Sequence, residues 1–116
     1  MKARRGATAG NGMDPLKVES EVYDTYDYAT FTVANSTTNY DVKTNNSTLF
    51  KNAPNARGVM IWSDKDITVR FNNTDLPAIS HEAVYSPHQW FDKLQVTNIF
   101  VTNTSGDDAA LRIFLV

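Results

Sequence analysis

The chain has 116 residues, no cysteine and a formal net charge of −2. That length suits one domain, and a cysteine-free chain offers neither a disulfide framework nor a thiolate metal site. Its apolar runs are only a few residues long, which excludes a transmembrane helix, and the opening MKARRGATAG lacks the apolar stretch of a secretory leader.

The charge is unevenly placed. Residues 1–14 carry Lys2, Arg4 and Arg5 against Asp14, and the remainder holds eight basic and twelve acidic residues. The first segment, with three glycines, reads as a flexible basic arm. The body, residues 15–116, reads as the folded domain. Being acidic, it lacks the basic face that nucleic-acid binding needs. Eleven Asn and thirteen Thr point to strands and turns, because Thr is β-branched and Asn tolerates the left-handed backbone. Asn-x-Ser/Thr triplets begin at Asn35, Asn45, Asn46, Asn72 and Asn103; without a leader they read as a by-product of composition.

In chain order, LKVESEV (16–22) alternates apolar and polar residues. YATFTVA (28–34) sets Phe31 and Val33 against Thr30 and Thr32, and NYDVKT (39–44) places Tyr40 and Val42 together. GVMIWS (58–63) is denser, as in a strand covered on both faces. DITVRFN (66–72) is the cleanest alternation, predicting Ile67, Val69 and Phe71 inward and Thr68 and Arg70 outward. SPHQWFDKLQ (86–95) predicts one short helical turn, with Ser86 as cap and Pro87 at the first helical position. KLQVTNIFVTN changes apolar phase between Val96 and Ile99, the mark of a β-bulge or of burial on both faces. AALRIFLV closes the chain. Its alternation puts Leu111, Ile113 and Leu115 in the core, and Phe114 and Val116 on a face too apolar for plain solvent. The short links SDKD and TSGDD predict two tight hairpins. Seven or eight short strands without a helical period define an all-β antiparallel sandwich, jelly-roll-like or Ig-like.

No G-x-S-x-G elbow, phosphate loop or cysteine nucleophile occurs, so the chain reads as non-enzymatic. His81, Glu82 and His88 could ligate a metal, but nothing in their spacing fixes a geometry; the simpler reading is two loop histidines at ordinary exposure. Asp107 and Asp108 follow a glycine turn without the ligand pattern of a calcium loop. No cofactor is therefore expected. Trp62 and Trp90, with the five tyrosines, of which Tyr23, Tyr26 and Tyr28 cluster, could form a sugar-stacking platform. The competing assignment puts Trp62 in the core and the tyrosines at rims or subunit contacts.

The stretches ARGVMIWSDKDITVRFNN and LQVTNIFVTNTSGDDAALRIFLV resemble small β-sandwich virion proteins of tailed bacteriophages, above all the capsid decoration, or cement, proteins. The shared look is I/V-x-V-R-F-N, then V-T-N-I-x-V-x-N-x-S-G, then an apolar strand, over about residues 57–116. The resemblance implies a non-enzymatic homo-oligomer, such as a trimer, on the capsid surface, in contact with the major capsid protein or other virion proteins and with no membrane partner. A tail, fibre or head-fibre module and a carbohydrate-binding sandwich are the alternatives. The residues expected at contacts are Arg4 and Arg5 on the arm, Tyr23 and Tyr26, and Phe114 and Val116.

Overall fold

The structure, a computed structural model, describes residues 24–116. The arm, Arg4 and Arg5, the expected strand 16–22 and Tyr23 lie outside the described residues. Within them the chain forms β1 (Asp27–Val33), β2 (Thr37–Asp41), a one-turn α1 (Val42–Asn45), β3 (Ala56–Ser63), β4 (Ile67–Phe71), β5 (Ile79–His81), β6 (His88–Val96), β7 (Ile99–Asn103) and β8 (Ala109–Leu115).

Two four-stranded antiparallel sheets result, in the orders β1-β8-β3-β6 and β2-β7-β4-β5. The pairing is nested. β4 turns back on β5, with Val69 opposite Ile79, and β3 pairs with β6, with Ile61 opposite Gln89. Further out, β2 pairs with β7 and β1 with β8, Tyr40 facing Val101 and Phe31 facing Leu111. This long ribbon then rolls up, so that β3 also bonds β8 and β4 also bonds β7. Of the two sandwiches the sequence allows, this is the jelly roll; an Ig sandwich groups its strands differently.

The rolled topology corrects both expected hairpins. β3 and β4 lie in different sheets, and so do β7 and β8. A three-residue link reaches about 10 Å when extended, which is also the separation of packed sheets. Residues 64–66 therefore bridge the sandwich where a turn was expected. The phase change after Val96 has the same origin: β6 ends in one sheet, and β7 begins in the other at Ile99.

Two local assignments also change. Residues 88–96 are a strand and not a helical turn. The Ser86 hydroxyl donates to the His88 carbonyl (2.8 Å) instead of capping, and His88–Asp92 find partners along β3. The helical turn falls at 42–45 instead, so Val42 leaves the strand that holds Tyr40. Asp41 caps it, accepting from Thr44 N at 3.0 Å, and also accepts from Asn98 Nδ2 at 3.0 Å.

Alternation predicts the core faces correctly. Ile67, Val69 and Phe71 are buried while Thr68 and Arg70 are half-buried on the other side. Leu111, Ile113 and Leu115 are buried and Arg112 is exposed. Facing side chains from both sheets, with Val42, Leu49, Phe50 and Val96 from the connections and strand ends, fill the space between them. Rings cross the gap twice: Phe71 meets Phe91 edge-on at 4.9 Å, and Phe31 stacks on Tyr40 at 5.6 Å.

Buried polar groups hold the strand ends. The Asp27 carboxylate accepts from Asn52 N, Asn52 Nδ2 and Ala53 N, each within 3.2 Å, which offsets the cost of burying it. Asn103 is fully buried. Its amide donates to the carbonyls of Val33 (2.9 Å) and Asp107 (2.8 Å), and its oxygen accepts from Ser105 N and Oγ. A glycan acceptor cannot be engaged in this way, so the triplet at Asn103 is structural. Asn103→Ala strands the Val33 carbonyl, and chemical denaturation should show a loss of about 1–3 kcal/mol. An unchanged midpoint would show that solvent replaces the amide.

Candidate functional site

The jelly roll turns one face of β1-β8-β3-β6 away from the core, and the register arranges that face in rows. The central row is Tyr28, Phe114, Met60 and Trp90. On one side lies Thr30, Arg112, Trp62 and His88. On the other, Val116 exchanges backbone hydrogen bonds with Gly58, and Gly58 faces Asp92. Tyr26 stands at the β1 end.

The side chains interlock through Phe114. Tyr26 stacks on it (5.6 Å, 26° between planes), and Trp90 meets it edge-on (6.2 Å, 73°). The Arg112 guanidinium lies 4.8 Å from the Trp62 ring centre, a cation–π contact. Much of this apolar area remains in solvent: Trp90 is 64% exposed, Tyr26 60% and Tyr28 48%. Three large exposed rings on one face of a sheet, linked along a row by Phe114 and Met60, are not the scattered apolar exposure of an ordinary surface.

Of the expected contact residues, the structure brings Tyr26 and Phe114 together and sets Val116 beside them. Trp62 is not core, as one assignment had it; it lies half-buried on this outer face, because Ile61 and Ser63 take the inward positions of β3. Sequence reading missed Met60 and Arg112 and hid Trp90 inside the expected helical turn. The signal was present: His88, Trp90 and Asp92 alternate with Gln89 and Phe91, a strand period.

The other candidates do not converge. Among the described residues no group of three His, Asp or Glu side chains is placed to hold a metal ion. Asp107 and Asp108 are exposed, and Asp108 Oδ1 accepts from Asn35 N at 3.0 Å. His81 is not at ordinary exposure but buried, and neither ring nitrogen has a hydrogen-bond partner. Burial holds its pKa below 6.5, against the opposing pull of the Pro87 carbonyl, the Gln89 side chain and the Asp66 carboxylate; His88 adds to the lowering. A histidine kept neutral by the fold supports stability above its unfolded pKa of about 6.5, and that support is lost as pH falls below it. Thermal midpoints should therefore drop as pH falls through about 6.5, and His81→Leu should flatten the drop; equal slopes in both proteins would remove His81 from the account. Asp41 acts in a separate window. Burial raises its pKa, but Thr44, Asn98 and Lys43 outweigh this and hold it below 3.8, so its contribution disappears only in stronger acid.

No family model and no curated protein matches the chain. Among solved structures, a chain of the virus-like particle of the giant freshwater prawn (Macrobrachium rosenbergii) extra small virus matches at 11% identity and a TM-score of 0.25, over 86% of this chain and 85% of that chain. So loose a superposition bears on neither fold nor function. The strands define a jelly roll with an apolar core between its sheets and an aromatic outer face.

Proposed function

We propose that this chain is a virion structural protein that works by packing against other protein subunits, specifically as a decoration or cement protein on a capsid. The observation that carries the reading is the outer face of β1-β8-β3-β6. Jelly rolls serve in viral capsids, in lectins and in cupins. In a cupin-like use the ligand sits between the sheets, and here that space is packed with Val, Ile, Leu and Phe side chains. Tyr, Trp, Phe, Met and Arg are the residues enriched where proteins meet, and these are the types the face displays. The resemblance of residues 57–116 to phage decoration proteins favours the same role.

The exposure of Trp90, Tyr26 and Tyr28 favours a second reading, carbohydrate binding. A sugar platform needs free, roughly coplanar ring faces. Trp62 is instead covered by Arg112, and Trp90 stands edge-on to Phe114. The protein contact therefore fits better. Mass spectrometry of purified virus particles from the source should find the chain in fixed ratio to the shell protein. Its absence from particles, together with glycan-array binding abolished by Trp90→Ser, would overturn the virion reading in favour of the second.

A further inference from the structure

We propose that residues 73–87 form a flap along one edge of the sandwich, latched to the core by the uncharged His81 ring and released when that ring takes up a proton.

Burial sets the flap apart from the rest of the fold. From Asn73 to Pro87 one residue is buried, His81. Val84 and Tyr85 are almost wholly exposed, and Leu76 and Ile79 are exposed as well. The flap carries β5, a strand of three residues at a sheet edge that pairs with β4 alone. Its other ties to the body are single hydrogen bonds. Arg70 Nε donates to the Leu76 carbonyl (2.9 Å), Ala83 N donates to Asp66 Oδ1 (2.9 Å), and Ser63 N donates to the Pro87 carbonyl (3.1 Å). The first two are exposed, where water replaces a lost partner. Both ends of the flap are fixed. Asn72 bonds the Gln95 carbonyl and Thr97 N, and His88 opens β6 opposite Trp62. A segment exposed along its length between two fixed ends lifts as a unit, without opening the core.

The one buried side chain is sensitive to one proton. Both ring nitrogens of His81 lack a hydrogen-bond partner, and so does the buried Oε1 of Gln89 on the opposite sheet. An uncharged ring bears that cost, but an imidazolium has two N–H donors and a full charge to satisfy. Its surroundings do not pair it. β4 presents Ile67, opposite His81 in register. From the 64–66 link, Asp66 attracts the charge, but its Oδ1 is engaged by Ala83 N. From β6, His88 repels it, and Gln89 carries no charge. Glu82, next in the chain, is exposed. Because β5 lies at the edge, the charged ring reaches water by lifting the flap. Release bares the outer edge of β4 from Ile67 to Val69, so one proton controls whether that edge is paired.

The sign follows from linkage. An open flap returns the ring to an ordinary pKa of about 6.5, so the closed form prevails above that value. The open fraction rises by up to about tenfold from one pH unit above it to one unit below.

Amide hydrogen exchange of the full chain at those two pH values, corrected for the intrinsic pH dependence of exchange, reads the change. Protection of Ser80, His81 and Ala83 should fall by up to about tenfold. Leu111 and Ile113, on the central strand β8, should stay far better protected at both pH values. Low urea should speed exchange at Leu111 and Ile113 and leave the flap unaffected, the mark of local opening. His81→Leu and His81→Gln, one apolar and one polar so that the test survives if either fails to fold, should each abolish the fall. His88→Gln should keep it. Flap amides that share the protection and urea dependence of Leu111 would show that the segment opens only with the whole domain, and the latch is overturned. It is equally overturned if protection in the flap does not fall with pH, or if the fall persists without His81.

Discussion

Truncation after Arg112 is expected to abolish folding. The four residues lost, Ile113 to Val116, include three of the seven residues of the strand that holds one sheet together. β8 pairs with β1 on one edge and β3 on the other, so its loss separates both neighbours at the same end. Ile113 and Leu115 are fully buried, and Phe114 and Val116 are half-buried. At about 1.5–3 kcal/mol for a fully buried apolar side chain, the first two contribute about 3–6 kcal/mol and the second pair about half as much again. The N–H groups of Arg57 and Gly58 also lose their acceptor, the Val116 carbonyl, at 2.7 and 3.1 Å. The total rivals the 5–15 kcal/mol that holds an ordinary domain together. Circular dichroism of the truncated chain should show no cooperative thermal transition. A sharp transition would mean that β1 and β3 close on each other without β8.

Strand faces were legible in the sequence because side-chain alternation is local. The pattern in DITVRFN and AALRIFLV fixes which residues point inward whatever the strands pair with. Partner choice is not local. SDKD and TSGDD have turn chemistry, and that chemistry is the same whether the next strand returns beside the last or crosses to the opposite sheet. Nothing in Ser63–Asp66 distinguishes the two. The choice is made by the rolled ribbon, in which Ile61 must find both Gln89 and Ile113. The helical turn was misplaced for a related reason. Ser-Pro before a mixed segment is a sound helix start, but β3 would then lack a partner on its outer edge, and the pairing of Val59 through Trp62 with β6 outweighs a single capped turn.

The outer face was half legible. Phe114 and Val116 stood out because an apolar pair on the outward side of a strand needs a cover. Tyr26 stood out by composition. Met60 did not, because in a dense run such as VMIW every position looks like core. Arg112 looked like an ordinary outward charge, and only the register that sets it opposite Trp62 reveals a cation–π pair. Asp27, His81 and Asn103 carry no sequence signal as buried groups; their burial is a product of how the connections fold over the sandwich ends.

The core should respond most sharply at Phe71. The residue ends β4, opposite Ile99, with its ring meeting Phe91 of the other sheet at 4.9 Å. It is 4% exposed. The backbone turns immediately after it, Asn72 adopting φ 69° with its amide bonded to Thr97 N at 2.7 Å and to the Gln95 carbonyl at 2.8 Å. Those bonds fix Phe71 from the chain side, so the backbone cannot follow a smaller side chain inward. Phe71→Ala should thus leave a cavity between the sheets and cost about 3–5 kcal/mol. Phe91 is only half-buried and can tilt part of the way into the space, which favours the lower end of that range. A double-mutant cycle with Phe91→Ala separates the two effects. The ring pair itself should account for about 0.5–1.5 kcal/mol of coupling, and the remainder should persist when Phe91 is already absent. Urea denaturation reads both values from the shift in midpoint at unchanged slope. A loss below about 1 kcal/mol for Phe71→Ala would mean that the two sheets close over the missing ring, and that the edge-on contact does not set their spacing.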